Sequence, residues 1–263
     1  MALHDVNKNY TLGRGRLNFG QYRAGTQSPR GERYLGNSPE ITYSAEQETL
    51  DHYNSDAGIN VKDAQVILSQ DYTGSFTLDD INMANLAMFF LGEAATMTVA
   101  ASTVTAEQHT GVEPGFEYQL GTSALNPSGV RQVTDVVVRK DGSATPLVAG
   151  TDYVVDEVLA RITLLEGGAV AVDDDIEVDY AVEASTRDRV ISRGQTVEGS
   201  LRYLANNPAG ANIDYFMPWV KITPNGDFSL KGDEWQTVPF NIEILKKGNL
   251  EAIYADGRPY NPA

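Results

Sequence analysis

Arg33-Tyr34-Leu35-Gly36-Asn37-Ser38-Pro39-Glu40-Ile41 opens the stretch whose reading decides the fold, and Ala64-Gln65-Val66-Ile67-Leu68 and residues 78–91 complete it. Gly36-Asn37-Ser38-Pro39 is turn chemistry. After it Ile41, Tyr43 and Ala45 alternate with polar residues, the two-residue period of a half-buried strand. From 46 to 60 the chain turns polar and acidic, with Glu46, Glu48, Asp51, His52 and Asp56, and reads as a long loop. Loops of that length inside a compact domain are functional or unstructured. Residues 61–76 supply the next strand, broken near Asp71 and Gly74. Thr77-Leu78-Asp79-Asp80 then reads as an N-cap followed by acids that suit the helix dipole. The expected helix covers 78–91, with Leu78, Ile81, Leu86 and Phe89 on a broad apolar face and Gly92 as the residue that closes it. That face is core rather than a cofactor site.

Working outward, the residues before Ser38 are rich in Gly, Asn and Arg and read as an arm plus one strand, Leu17-Asn18-Phe19-Gly20-Gln21-Tyr22. Residues 106–185 change character. Segments 115–120, 133–139, 152–156, 161–165 and 176–182 read as short strands, separated by the turn signals Asn126-Pro127, Asp141-Gly142, Gly150, Gly167-Gly168 and Asp173-Asp174-Asp175. That spacing predicts a small antiparallel β-sandwich inserted into another domain. The outer domain takes 1–105 and 186–263, resuming with strands over 197–206, 213–223 and 237–245.

Composition narrows the function. The chain of 263 residues has no cysteine, which excludes disulfides, thiolate metal sites and cysteine nucleophiles. Glycine (24) and proline (11) are frequent but aperiodic, as in a β protein with many turns. The net charge of -16 is concentrated: 106–185 hold 15 acids and 4 bases, whereas 186–263 hold 9 of each. Residues 1–33 hold six bases, among them Lys8, against Asp5 and Glu32. Met1-Ala2-Leu3-His4-Asp5 leads into polar sequence, so no signal peptide is expected, and the apolar stretch 81–91 is too short and polar to span a bilayer.

Catalytic chemistry is not advertised. His4, His52 and His109 lie far apart without ligand spacing, and Gly13-Arg14-Gly15-Arg16 has neither the preceding strand nor the following helix of a phosphate loop. Asp173, Asp174 and Asp175 are weak calcium candidates, since the run lacks alternating ligands. Arg14, Arg16, Arg23, Arg30 and Arg33 have two readings, phosphate contacts to nucleic acid or ion pairs with acids of neighbouring subunits. The second is preferred, because interleaved aromatics are missing. No cofactor is expected.

The ordered set of Leu35-Gly36-Asn37 with Pro39-Glu40, a polar loop, a strand, the Asn85-Leu86-Ala87 helix, then Met217-Pro218-Trp219-Val220-Lys221-Ile222 and Leu230-Lys231-Gly232-Asp233-Glu234 resembles the major tail tube proteins of long-tailed, siphovirus-type bacteriophages. The resemblance covers about 10–105 and 186–255. Gly150-Thr151-Asp152-Tyr153-Val154-Val155-Asp156 with Ile176-Glu177-Val178-Asp179-Tyr180 resembles a β-module inserted in phage tail proteins. The resemblance implies a mainly β protein: a tail-tube-type β-sandwich or split barrel with one flanking α-helix, plus an inserted immunoglobulin-like module. It also implies homo-hexameric rings stacked into a tube in the virion tail, assembled in the host cytoplasm. Tail tip or initiator, tape measure and terminator proteins would be partners, and double-stranded DNA would pass through the lumen without specific binding. Glu46, Glu48, Asp51, His52 and Asp56, the five arginines and both termini become the candidates for contacts between subunits or rings. Rival readings are a type VI secretion tube protein and an extracellular β-sandwich module binding carbohydrate or a host surface; an enzyme is the least supported.

Overall fold

Leu17 and Phe19, the alternating apolar pair near the N-terminus, are 2% and 1% exposed on the first strand of a computed structural model that describes residues 10–56 and 58–259. His4, Asp5, Lys8 and the outermost residues of both termini lie outside the described residues. The chain divides into two compact units: unit 1 takes it up to Ala95 and again from Arg189, and unit 2 is Thr96–Asp188. In chain order, unit 1 contains β1 (Gly15–Gln21), β2 (Arg33–Tyr34), β3 (Glu40–Asn54), β4 (Val61–Leu78), α1 (Met83–Phe89) and the start of β5 (Gly92–Val99). Unit 2 holds β6 (Ser102–Val112), β7 (Glu117–Gln119), β8 (Val133–Lys140), β9 (Tyr153–Asp156), β10 (Arg161–Leu164) and β11 (Asp174–Val182). Strand β12 (Ser185–Ser192) leads back to β13 (Val197–Ala205), β14 (Ile213–Pro224), β15 (Val238–Leu245) and β16 (Tyr254–Gly257). The protein is mainly β, with antiparallel sheets and one helix among the described residues.

The sheet of unit 1 runs β2-β1-β13-β14-β15-β4-β3, with β16 paired to β14. Strand alternation sends Phe76, Leu78, Phe240, Ile242, Val220, Ile222 and Leu201 to one face, where they form the core with Leu17 and Phe19. Phe76 and Phe240 stack at 5.0 Å, and Phe89 of α1 meets Phe240 edge-on at 6.1 Å, so the helix caps this core. Tyr43 on β3 lies 6.3 Å from Tyr215 on β14, although β4 and β15 separate these strands in sheet order. The sheet is therefore rolled, and Tyr203 on β13, 6.2 Å from Tyr215, continues the aromatic cluster. Burial pushes the Tyr43 hydroxyl pKa upward, and the neighbouring tyrosines add to the shift.

Two readings of the deciding stretch are corrected. The helix begins at Met83, not 78, because Thr77 and Leu78 are held in β4, where Leu78 pairs with Val238 and is fully buried. Asn82 is the cap, its side chain accepting from Asn85 N–H at 3.0 Å. At the other end Leu91, not Gly92, takes the positive φ of 48°. Gly92 is required for space: a Cβ there would meet Ile191 O at 2.1 Å. The second correction concerns 46–60: the part up to Asn54 is strand, and the loop is confined to the residues between Asn54 and Val61. β3 runs through to Asn54 and pairs with β4 down to Val61. Polar residues hold this strand because each pairs across the hairpin while neither face of the ribbon is covered.

Unit 2 consists of two three-stranded sheets, β7-β10-β9 and β6-β11-β8, around one core that includes Val138, Ile162, Leu164, Ile176, Val178 and Tyr180. It starts before the expected 106 because β6 pairs along β11. Its carboxylates are tied to backbone and cations. Asp152 accepts from Val148 N–H at 2.7 Å and Ala169 N–H at 2.8 Å, which lower its pKa. Lys140 and Ala171 N–H lower that of Asp174, and Arg139 and Ala106 N–H that of Asp179. Burial raises that of Glu107, but hydrogen bonds with His109, the Tyr180 hydroxyl and Gly121 N–H outweigh it. All four stay charged in the folded unit at a pH where the unfolded chain takes up protons. Their stabilisation is complete above the ordinary carboxylate range near pH 4 and is lost as pH falls through and below it. Calorimetry should find the melting of unit 2 steady from pH 7 to about 5 and falling steeply below about 4. A melt that improves on acidification would contradict these assignments.

Candidate interaction surface

Strand β15 pairs with β4 only as far as Tyr72, opposite Ile244. Beyond it β3 and β4 continue alone, from Glu46 opposite Asp71 to Asn54 opposite Val61. This ribbon projects on the order of 30 Å, at about 3.3 Å per residue. A two-stranded ribbon is marginal by itself in water. Asp51 pairs with Lys62 at 2.6 Å and His52 Nδ1 with Asp63 Oδ1 at 2.5 Å, but exposed pairs of this kind contribute only about 0–1 kcal/mol. The arm also keeps Leu50, Tyr53, Val61, Val66, Ile67 and Leu68 between 52% and 61% exposed. Glu46 and Asp71 stand directly opposite each other, an arrangement that repels. Near the tip, Asn54 Oδ1 accepts from Asp56 N–H at 2.8 Å. Glu46, Glu48, Asp51, His52 and Asp56 thus all lie on one acidic, partly apolar projection. A partner that brings cations and apolar surface would complete it.

The arginines separate. Arg33 turns inward: it donates to Asn85 Oδ1 at 2.9 Å and Met88 Sδ at 3.0 Å, and burial lowers its pKa. Asn85, fully buried, passes this anchor on by donating to Leu35 O at 2.7 Å and Asp80 O at 2.8 Å. Arg33 therefore fixes the helix against the sheet. Arg14, Arg16, Arg23 and Arg30 are exposed and form no ion pair among the described residues. Arg14 donates to Gly13 O at 2.9 Å, and Arg16 lies 5.7 Å over the Tyr34 ring. Arg23 and Arg30 flank the turn between β1 and β2, where Arg30 N–H donates to Gln21 O at 3.1 Å.

The sheet face opposite the core presents rows of small polar and charged side chains. Thr42, Ser75, Asn241 and Thr223 align across four strands, and Ser44, Thr73, Glu243, Lys221 and Glu198 form the next row. Thr42 and Ser75 hydroxyls are 2.8 Å apart. Strand register alone brings Glu243 and Glu198 together on this face.

Asp173, Asp174 and Asp175 do not converge on a common point. Asp174 pairs with Lys140 at 2.7 Å, Asp175 accepts from Gly111 N–H at 2.8 Å, and Asp173 occupies a turn with φ 65°. Among the described residues no group of three potential ligands could hold a metal ion, and no helix is long and apolar enough to cross a membrane.

Residues 10–251 match the family described as a protein of unknown function, UCP028589, and the chain belongs to that family. No curated protein matches it.

Proposed function

We propose that this family member is a structural subunit that assembles head to tail into stacked hexameric rings, forming a bacteriophage tail tube through which genomic DNA passes. The observation that carries the reading is the projecting β3–β4 arm. It combines exposed apolar side chains with a facing carboxylate pair, Glu46 and Asp71, and leaves its sheet at a rolled edge. A subunit with such an arm gains from a neighbour what it lacks alone. The four exposed arginines, which form no ion pair among the described residues, offer the complementary charge.

The polar face with Thr42, Ser44, Thr73 and Asn241 suits a bore wall. Short hydroxyl and amide side chains offer no cationic footholds for phosphates, so a duplex slides without being held. Lys221 stands between Glu243 and Glu198, which offset it. In this reading initiator, tape measure and terminator proteins meet the tube at its ends.

Negative-stain electron microscopy over a concentration series tests the proposal. Six-fold rings or hollow filaments are the expected result. Compact monomers that also fail to polymerise on a tail-tip complex would sink it.

A further inference from the structure

Trp235 is 94% exposed and Leu230 is 78% exposed, both on the loop 225–237 that joins β14 to β15. The loop is built rather than loose. Phe228 at its root packs 5.8 Å from Phe89 and 6.5 Å from Phe90. Farther along, Ser229 Oγ donates to Lys231 O at 3.1 Å and Gln236 Nε2 donates to Ser229 O at 3.0 Å. An anchored loop thus carries an indole into water, surrounded by Asp227, Asp233 and Glu234 against the single base Lys231. Tryptophan is the residue type most enriched among interface anchors, because its large rigid face leaves water at small entropic cost.

The same unit carries a cleft of about 550 Å³ between the free edge of β1 and the start of β3. Leu17, Pro39, Ile41 and Tyr203 supply its apolar lining, and Arg14, Asn37, Ser38 and Thr42 its polar lining. Strand β2 covers β1 only at Asn18 and Phe19, so this edge has no strand beside it. Glu40 also lines the cleft, yet Arg14 forms no ion pair with it among the described residues.

We infer that the cleft receives Trp235 of a second copy of this chain, with Asp233 and Glu234 of that copy facing Arg14. Charge selects the occupant: an acidic loop around an exposed indole meets a cleft whose lining cation, Arg14, forms no ion pair among the described residues, and both are present on every copy. Knob and cleft are different surfaces, so the contact is heterologous and repeats from subunit to subunit. The inference rests on self-assembly as proposed above but uses a contact separate from the arm.

The test is sedimentation and tryptophan emission across a concentration series, read in the Trp219→Phe variant so that only Trp235 reports. Association should move the Trp235 emission to the blue. Trp235→Ala should weaken association about tenfold or more, as loss of an anchor does. Arg14→Glu should weaken it too, and a mixture of Arg14→Glu with Glu234→Arg subunits should recover it. Association with Trp235 still fully solvated, and unchanged by Trp235→Ala, overturns this contact and leaves the assembly proposal standing. A protein that remains monomeric at every concentration, alone and on a tail-tip complex, overturns both.

Discussion

Excising residues 47–70 and joining Glu46 to Asp71 through an Asn-Gly turn is expected to give a folded subunit that builds no tubes. Three-strand pairing ends at Tyr72 opposite Ile244, so the cut removes only ribbon that neither β15 nor the core supports. Asn-Gly is a favoured two-residue hairpin connection and suits the facing strands. None of the buried core residues of unit 1 lies within 47–70, so its melting should move by no more than about 0.5 kcal/mol equivalent. In the proposed assembly tubes should fall to none, since the arm carries the apolar side chains a neighbour would cover. Calorimetry checks the first half and negative-stain microscopy the second. Normal tubes from the excised protein would end the arm's role in assembly.

Phe240→Ala should be the most damaging single substitution in unit 1. Phe240 is fully buried, stacked on Phe76 and met edge-on by Phe89, so its removal opens a cavity shared by sheet and helix. Truncations of this kind cost about 3–5 kcal/mol, against a total domain stability of about 5–15 kcal/mol. Unit 2 has its own core, and its transition should stay where it was. Thermal unfolding followed by calorimetry separates the two. Transitions that shift together would refute the independent accounting.

The β character of the chain was legible because burial writes itself into alternation. Ile41, Leu17 and Phe19 each mark a covered strand face. The arm was not legible, since a strand with two wet faces has no hydrophobic period and Glu46 to Asn54 resembles loop. Strand β6 escaped for the same reason: Val112 is its buried apolar residue, at its very end. The helix start was misplaced because Asp79 and Asp80 imitate a first turn, while Leu78 belongs to the sheet through its contact with Val238. At the candidate surface the acids of 46–56 were identifiable by composition, but five arginines read alike in sequence. Only three-dimensional packing separates Arg33, locked on Asn85, from the four that face solvent. Nothing in the sequence distinguished Trp235 from a core tryptophan; its exposure did.

Both crossings between the units run through β5 and β12, which pair with each other. Close approach at Gly92 and Ile191 on one side, and the 3.0 Å bond from Thr96 Oγ1 to Asp188 Oδ1 on the other, fasten the two passages together. To unit 1, everything from Thr96 to Asp188 is then one very long turn whose ends are already joined. The entropy of closing such a turn grows only with the logarithm of its length, about 0.6 kcal/mol for each doubling. The position behaves as a socket: its occupant can lengthen, shrink or be exchanged for an unrelated fold at little cost to the host sheet. The host sheet can thus keep its own strand order while what is plugged into it varies.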